Sequence, residues 1–273
     1  MKCMICDTTC AYYFSKTYSE PPFDTLMREV GAVEYHKCPR CGFVASATHC
    51  ELPAAQWDTL NRSFHSYLED NANERFCNQP PYAEQAMMLS MLGRSDVIRT
   101  DSIVDYAAGH GTLSRIMEKH FDTKVPIYDP YVQAGDPDRY ILKSALKTYK
   151  TVINSAMFEH VLEREDLEQV NRLVEDDGCL VLHTVICERV PDDPNWFYLR
   201  PPVHTAFHTN ESMRLLMGQW GYHSSIYSPK SKCWVLLKAD IATVERKIAA
   251  LNDELQCTWF HYQSGFMDYW KGF

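Results

Sequence analysis

Residues 103–112 constrain the fold more than any other segment of the chain. They read Ile-Val-Asp-Tyr-Ala-Ala-Gly-His-Gly-Thr: a β-branched run ending at Asp105, then a turn of small residues containing Gly109 and Gly111. A helical pattern follows over residues 113–120. Small residues at a helix start let backbone N–H groups approach a ligand, and Asp105 can bind a cationic group. The segment therefore predicts a strand, a tight loop and a helix that bind a nucleotide-like ligand.

A second short strand is predicted at residues 125–129, Val-Pro-Ile-Tyr-Asp. Asp129 lies eighteen residues after Gly111, which leaves room for a crossover helix. It would end the neighbouring strand and accept hydrogen bonds from ribose hydroxyls. The alternative for Asp129 is an ordinary turn carboxylate before Pro130.

Further strands are predicted around residues 151–155 and 178–184, with helical stretches between them. Strands that alternate with helices favour parallel pairing in a doubly wound sheet, which binds ligands at the carboxyl ends of its strands. Asp105, Asp129, residues 154–160 and His183 all follow such strands, and we expect them to converge on one crevice. His183 lies in an apolar strand and is interpreted first as a core histidine with its hydrogen bonds satisfied.

Composition limits the class of protein. The net charge is −9 and the chain is 45% hydrophobic, so a globular protein is expected and nucleic acid is an unlikely partner. No run of eighteen apolar residues occurs, and the first residues lack the apolar core of a signal peptide. The expectation is a cytoplasmic protein with no membrane partner.

Paired cysteines mark the amino-terminal segment. Cys3-x-x-Cys6 is followed after thirty-one residues by Cys38-x-x-Cys41. Cytosolic cysteines at this spacing are interpreted as metal ligands before disulfides, so Cys3, Cys6, Cys38 and Cys41 predict a zinc ribbon; the alternatives are another metal and free thiols. Four cysteine ligands leave no open position, which makes the zinc structural. The spare donors that could replace a ligand are Cys10, His36, His49 and Cys50.

Residues 54–91 have a helical pattern in which Trp57, Leu60, Phe64 and Tyr67 recur on one face. A Pro-Pro break at 80–81 precedes a second predicted helix at 83–92. This segment could cover a substrate pocket. Tyr67, Arg75 and Tyr82 are then candidate substrate contacts; the alternatives are packing and solvated surface.

The carboxyl-terminal part predicts two closing strands within residues 220–238, joined as an antiparallel hairpin. A helix over residues 241–255 places apolar residues at alternating three- and four-residue spacing. It could form a coiled-coil seam in a homodimer or pack on its own domain. The aromatic residues between 259 and 270 are expected to dock on the protein.

Taken together, these motifs resemble class I S-adenosylmethionine-dependent methyltransferases with an amino-terminal zinc-binding segment, as in sugar C-methyltransferases. Residues 104–111, Val-Asp-Tyr-Ala-Ala-Gly-His-Gly, match the motif Asp-x-Gly-x-Gly-x-Gly, with Ala107 at the first glycine. Tyr-Asp129-Pro resembles the ribose-binding acid, and Phe-Glu159-His160-Val the Glu-His-Val element after the fourth strand. Residues 178–182 resemble the fifth-strand motif. The resemblance spans roughly residues 100–240.

The resemblance implies an α/β fold: a doubly wound Rossmann-like sheet with a carboxyl-terminal antiparallel hairpin, preceded by a small zinc ribbon. The expected segments are a ribbon at 1–53, a helical connector or substrate cover at 54–95, the methyltransferase domain at 96–239, and a helix with an aromatic tail at 240–273.

The resemblance also implies residue roles in a site for S-adenosyl-L-methionine. Asp105 and the loop residues would hold the methionine portion, and Asp129 the ribose. The next strand end would lie near the adenosine or the sulfonium. An alanine at position 107 is acceptable provided that its φ is unstrained. The predicted cofactor residues are Asp105, Ala107, Gly109, Gly111, Asp129, Ser155, Ala156 and Met157.

Methyl transfer from a sulfonium requires an aligned acceptor and, where needed, a base. His204 and His208 precede a predicted helix at 211–219, and either imidazole could accept a proton near neutral pH. Alternatively, these histidines bind metal with Glu159 and His160, or make structural hydrogen bonds. The predicted catalytic residues are His204, His208, His160 and Glu159.

The function that follows is methylation of a small hydroxylated acceptor, such as a sugar or a nucleotide-sugar. The alternatives are a methyltransferase of protein or RNA that uses the ribbon for recognition, and a catalytically inactive methyltransferase-like binding protein.

Overall fold

The computed structural model describes residues 1–69, 80–132 and 138–268, which form two compact units. The first unit contains the described parts of Met1–Asn78 together with Glu159–Asp166 and Val185–Leu215. The second contains the described parts of Gln79–Phe158, Leu167–Thr184 and Leu216–Phe273. Each unit joins segments that are distant in sequence, so the units cut across the four linear segments expected above.

The first unit is built on a five-stranded sheet. Its strands are β1 (Ala11–Lys16), β2 (Val33–Lys37), β3 (Val44–Ser46), β8 (Ile186–Cys187) and β9 (Ala206–Thr209). They lie in the order β1-β2-β3-β9-β8, and all pairs are antiparallel except β8 with β9, which is parallel. In β2, Val33 and Tyr35 are fully buried whereas Glu34 is exposed, the two-residue period of a strand with one buried face.

Three helices of this unit are α1 (Phe23–Leu26), α2 (Ala47–Cys50) and α3 (Ala54–Glu69). Trp57, Leu60 and Phe64 of α3 lie in the core of the unit, and Tyr67 is partly buried against it. Tyr67 therefore packs on the core, which was the alternative to its being a substrate contact. Arg75 lies outside the described residues.

The second unit is built on a seven-stranded sheet. Its strands are β4 (Ile103–Tyr106), β5 (Ile127–Tyr128), β6 (Tyr149–Ser155), β7 (Val174–His183), β10 (Ser224–Ser228), β11 (Cys233–Leu237) and β12 (His261–Ser264). They lie in the order β12-β10-β11-β7-β6-β4-β5. The four strands β5, β4, β6 and β7 are parallel, and β11, β10 and β12 continue the sheet in antiparallel pairing. The predicted α/β class is confirmed.

The helices α4 (Tyr82–Arg94), α5 (Thr112–Phe121) and α8 (Ile241–Leu255) belong to this second unit. Tyr82 is partly buried against the core of the second unit, so it too packs on the core, the alternative to its being a substrate contact. The helices α6 (Arg164–Asn171) and α7 (Asn210–Gln219) contain residues of both units. No helix within the described ranges combines the length and the apolar character needed to cross a membrane.

Helix α8 has the predicted bounds, and its apolar face packs on its own unit. Val244, Ile248 and Leu251 lie in the core of the second unit, and Leu255 packs partly buried against it. These side chains are therefore unavailable as a seam between two chains. Of the aromatic tail, Phe260 is in the same core just before β12, whereas residues 269 and 270 lie outside the described part of the chain.

Candidate active site

Asp105 lies in β4 between its parallel neighbours β5 and β6, because the apolar run Ile103-Val104 carries it into the buried sheet. The side chain is buried, and its Oδ1 has no hydrogen-bond partner among the described residues. Burial, and secondly the nearby charge of Asp129, raise the pKa of this carboxyl group to about 8. A buried, unpaired carboxyl group of this kind is suited to a cationic ligand.

The loop after β4 has positive φ at Ala107 (61°), Gly109 (53°) and Gly111 (69°). The condition set above for an alanine at position 107, an unstrained φ, is therefore not met, since a left-handed backbone costs an L-residue about 1–2 kcal/mol. A Cβ on Gly111 would lie 2.5 Å from Ile127 Cδ1, so this glycine permits the close approach of the loop to β5. Helix α5 begins at the next residue, Thr112.

Asp129 follows β5 and fastens this loop. Its Oδ2 accepts a hydrogen bond from the Gly109 N–H at 2.8 Å. Its Oδ1 accepts from the N–H groups of Tyr131 and Val132 at 2.8 and 2.7 Å. Asp129 therefore acts as a turn carboxylate and at the same time joins the turn to the glycine loop.

Residues 155–157 lie at the end of β6 next to Asn154, which the sequence analysis placed at the crevice without a specific contact. The Ser155 hydroxyl donates to Gln85 Oε1 at 3.3 Å, and Ala156 has a positive φ of 62°. Asn154 is fully buried: its Nδ2 donates to the Tyr106 carbonyl at 3.1 Å and lies 3.3 Å from Met157 Sδ. Its Oδ1 lacks a partner in the described part of the chain. The sequence signal that could have identified Asn154 is an amide directly after the apolar pair Val152-Ile153.

In the first unit, Glu159, His160 and His204 bring their carboxylate oxygen and ring nitrogens within 4.8 Å of one another. We call these three residues the Glu159 group. The Tyr198 hydroxyl donates to Glu159 Oε1 at 2.7 Å. His204 Nδ1 lies 2.7 Å from the Tyr198 carbonyl oxygen and must donate to it, which leaves Nε2 as the nitrogen with a lone pair.

Both histidines of the Glu159 group are neutral at neutral pH. Burial, and then the neighbouring His204 and His65, hold the pKa of His160 well below its usual value. Burial lowers the pKa of His204 to about 4. The His65 ring centroid, on α3, is 5.7 Å from that of His160. Sequence reasoning assigned no role to Tyr198 or His65, because only the fold brings positions 65 and 198 to residues 159–160.

His208 is not part of the Glu159 group. It lies in β9, with its ring centroid 5.0 Å from that of Phe43. Residues 204 and 208 are four apart, but residues 206–209 are a strand, so the spacing does not place both rings on one helical face. His183 Nδ1 hydrogen-bonds to the Lys232 carbonyl at 2.8 Å, as expected of a satisfied histidine.

The sulfur atoms of Cys3, Cys6, Cys38 and Cys41, which we call the cysteine group, lie within 4.8 Å of one another. Three of their Sγ–Sγ distances are 3.7 Å (Cys3–Cys41), 3.4 Å (Cys6–Cys38) and 3.7 Å (Cys6–Cys41). A tetrahedral Zn²⁺ with Zn–S bonds of about 2.3 Å requires sulfur separations of about 3.8 Å. The four thiols therefore fit a zinc ion. Of the spare donors, Cys10, His36, His49 and Cys50 are all outside this group.

The residues expected in one crevice belong to two compact units. Asp105, Asp129, Asn154 and His183 are in the second unit, and Glu159 and His160 are in the first.

Known proteins give one family match and several structural similarities. No curated protein sequence matches the chain. A plantazolicin methyltransferase solved with SAH is 11% identical over 74% of this chain and 91% of its own, with a TM-score of 0.45. The magnesium protoporphyrin IX methyltransferase of Synechocystis PCC 6803, solved with SAH, is 14% identical over 68% and 87%, with a TM-score of 0.35. Similarities of this size assign no role to any residue here.

The match to a protein-family model, in contrast, assigns the chain to a family. The model of a family described as "Methyltransferase domain" matches residues 61–225, which include β4, the glycine loop, Asp129 and the whole Glu159 group. This range is more than half of the 273 residues. The prediction of a methyltransferase is thereby confirmed, and the chain belongs to this methyltransferase-domain family.

Proposed function

We propose that this methyltransferase takes its methyl group from S-adenosyl-L-methionine and transfers it to a small hydroxylated acceptor. The observation that carries the proposal is the buried Asp105, with an unpaired Oδ1, beside a glycine loop fastened by Asp129. We call Asp105, residues 107–111 and Asp129 the cofactor cradle. Its buried carboxyl group suits a ligand with positive charge, whereas a dinucleotide would place its negatively charged pyrophosphate at this loop.

We expect each residue of the cofactor cradle to contact a particular part of the cofactor. Asp105 would hold the cationic methionine portion, and the loop Ala107–Gly109–Gly111 would present its backbone to it. Asp129 already accepts three backbone hydrogen bonds, and a carboxylate has about four lone-pair sites, so one remains for a ribose hydroxyl. Ser155, Ala156 and Met157 would line the adenosine or sulfonium. The bound cofactor would supply a methyl group already activated on sulfur.

The acceptor's proton would be taken by a histidine of the Glu159 group. His204 is the better candidate, because the Tyr198 carbonyl fixes its Nδ1 as the donor and leaves Nε2 to accept a proton. Glu159 would then stabilise the imidazolium, as a buried carboxylate does beside a catalytic histidine. His208, packed on Phe43, is the weaker candidate.

The cysteine group is proposed to hold a structural Zn²⁺, since its sulfur separations fit the ion and all four donors are cysteine sulfurs. The acceptor is proposed to be sugar-like on resemblance alone. The net charge of −9 remains the argument against a nucleic acid. A homodimer through α8 stays a prediction, and it would have to use faces other than the one packed in the core.

The test is calorimetric titration of the protein with S-adenosyl-L-methionine. Asp105→Ala should abolish detectable binding, whereas Asp101→Ala, which removes an exposed carboxylate paired with Arg99, should leave the affinity unchanged. Equal affinity in wild type and Asp105→Ala would reject the cradle. Incubation with labelled cofactor and a metabolite extract would then identify the acceptor.

A further inference from the structure

We propose that Glu159, His160 and His204 bind a divalent transition-metal ion, a second metal site distinct from the cysteine group. One carboxylate oxygen and two ring nitrogens lie within 4.8 Å of one another, close enough to share an ion after small adjustments of side-chain rotamers. Two imidazoles and one carboxylate are ligands for Zn²⁺, Fe²⁺ and Co²⁺, and they leave coordination positions for other ligands.

The hydrogen bonds around His204 and Glu159 are those of oriented metal ligands. A ligating histidine usually donates its other ring N–H to a carbonyl or carboxylate, which fixes the tautomer. His204 does so through Nδ1 to the Tyr198 carbonyl. The hydroxyl of the same tyrosine donates to Glu159 Oε1, so a single residue orients two of the three proposed ligands.

His160 supplies an independent observation. Its ring makes a hydrogen bond to the backbone of Val203, while its Nδ1 is buried and has no hydrogen-bond partner in the described ranges. A buried polar nitrogen without a partner costs free energy. A cation would satisfy this nitrogen, and the donating Nδ1 of His204 leaves Nε2 of that ring as a second ligating nitrogen.

The role of the ion rests on the proposed function. An acceptor hydroxyl bound to the cation would lose its proton to a water molecule at a lower pH than when free, and the oxygen would then carry the charge needed to attack the methyl carbon. On this inference His160 and His204 hold the ion, and water replaces His204 of the proposed function as the group that takes the acceptor's proton. Binding of the ion itself does not depend on the methyl donor.

The experiment is a titration of the purified, zinc-loaded protein with Co²⁺ alone, after brief chelation to remove weakly held metal. Absorption distinguishes the sites: cobalt bound by nitrogen and oxygen gives visible d–d bands, whereas thiolate-bound cobalt adds intense near-ultraviolet charge-transfer bands. We expect one cobalt per chain of the first type. Glu159→Gln, which keeps an acceptor for Tyr198, and His204→Ala should weaken binding by at least about tenfold.

Tyr198→Phe leaves all three ligands in place and should weaken cobalt binding by about 10–100-fold, the usual effect of losing an orienting partner. His183→Asn, a histidine outside the group, should leave the titration unchanged. Cobalt that gives only thiolate bands, or wild type and Glu159→Gln that titrate identically, would overturn the metal site. The cofactor affinity of the same samples, set by Asp105, reports separately on the proposed function.

Discussion

The backbone N–H of Thr205 donates to the carbonyl oxygen of Glu159 over 2.7 Å. The Thr205 carbonyl in turn accepts from the N–H of Ser46 at 2.8 Å, at the end of β3. Strand β3 begins three residues after Cys41. The cysteine group and the Glu159 group are therefore parts of one hydrogen-bonded framework in the first unit. Loss of the proposed structural zinc should for this reason disturb the proposed catalytic residues.

Substitution of Cys38 by serine is expected to release zinc and to weaken this framework. Structural zinc sites contribute folding free energy directly, so the Tm should fall by roughly 5 °C or more and turnover should be lost. Zinc per chain, thermal unfolding and cofactor affinity would be measured together. Cys257→Ser, an exposed cysteine outside the group, is the matched control. A zinc-free variant with an unchanged Tm would show that the zinc has no structural role.

Binding of S-adenosyl-L-methionine should depend on pH through Asp105. The raised pKa of about 8 means that this carboxyl group is neutral below that pH and charged above it. A cationic ligand favours the charged form, so binding near pH 7 should release a proton, and affinity should rise about tenfold between pH 7 and 9. Calorimetry in buffers of different ionisation enthalpy measures the proton release.

Asp105→Asn is the control for this experiment, because it removes the titrating group and leaves any ionisation of the ligand in place. The raised pKa of Asp105 also predicts how the stability of the ligand-free protein depends on pH. Up to about pH 8 the folded state keeps the proton of this carboxyl group, whereas the unfolded state loses it above pH 3.8. Stability relative to Asp105→Asn should therefore fall as the pH rises from about 4 to about 8. A flat difference over that range would contradict the assigned burial.

The glycine loop predicts an order of stability among three substitutions. Gly109→Ala introduces a left-handed alanine with open space around its Cβ, and should cost about 1 kcal/mol. Gly111→Ala adds a clash with the Ile127 side chain at 2.5 Å and should cost more, at least about 2 kcal/mol. Ala107→Gly removes existing strain and should be neutral or stabilising by up to about 1 kcal/mol.

Denaturant unfolding measures the free energy of unfolding of all three variants. Gly109→Ala and Gly111→Ala serve as a matched pair. If Gly109→Ala proved more costly than Gly111→Ala, the close approach of the loop to β5 would be wrong.

Sequence patterns predicted the second unit better than the first. The apolar run ending at Asp105, the glycine turn and the period of α8 are local signals, and the corresponding elements have bounds within a few residues of those expected. The first unit depends on pairings between distant residues, such as Val44 with Phe207, which no local pattern contains. For the same reason the sequence could name His204 and Glu159 as candidates and could not join them through Tyr198.

The sequence also did not predict the backbone conformation of the loop after β4. Ala107 reads as a conservative replacement of glycine, yet its φ of 61° shows that the loop keeps the left-handed turn and accepts the strain. A methyl group is small enough for the available space, but size does not report the sign of φ.

Tyr198→Phe tests whether the Tyr198 hydroxyl positions Glu159. The change removes the 2.7 Å hydrogen bond to Glu159 and the 3.1 Å bond that the hydroxyl accepts from the Val185 N–H. Leaving these buried groups without their partner should cost about 1–3 kcal/mol of stability. Turnover should fall at least about tenfold with unchanged cofactor affinity, since an orienting partner typically contributes that much. A purely structural role would lower the Tm and leave the pH profile of turnover unmoved, whereas a positioning role shifts the profile. Tyr12→Phe, an exposed tyrosine bonded to Ser15, should change neither quantity.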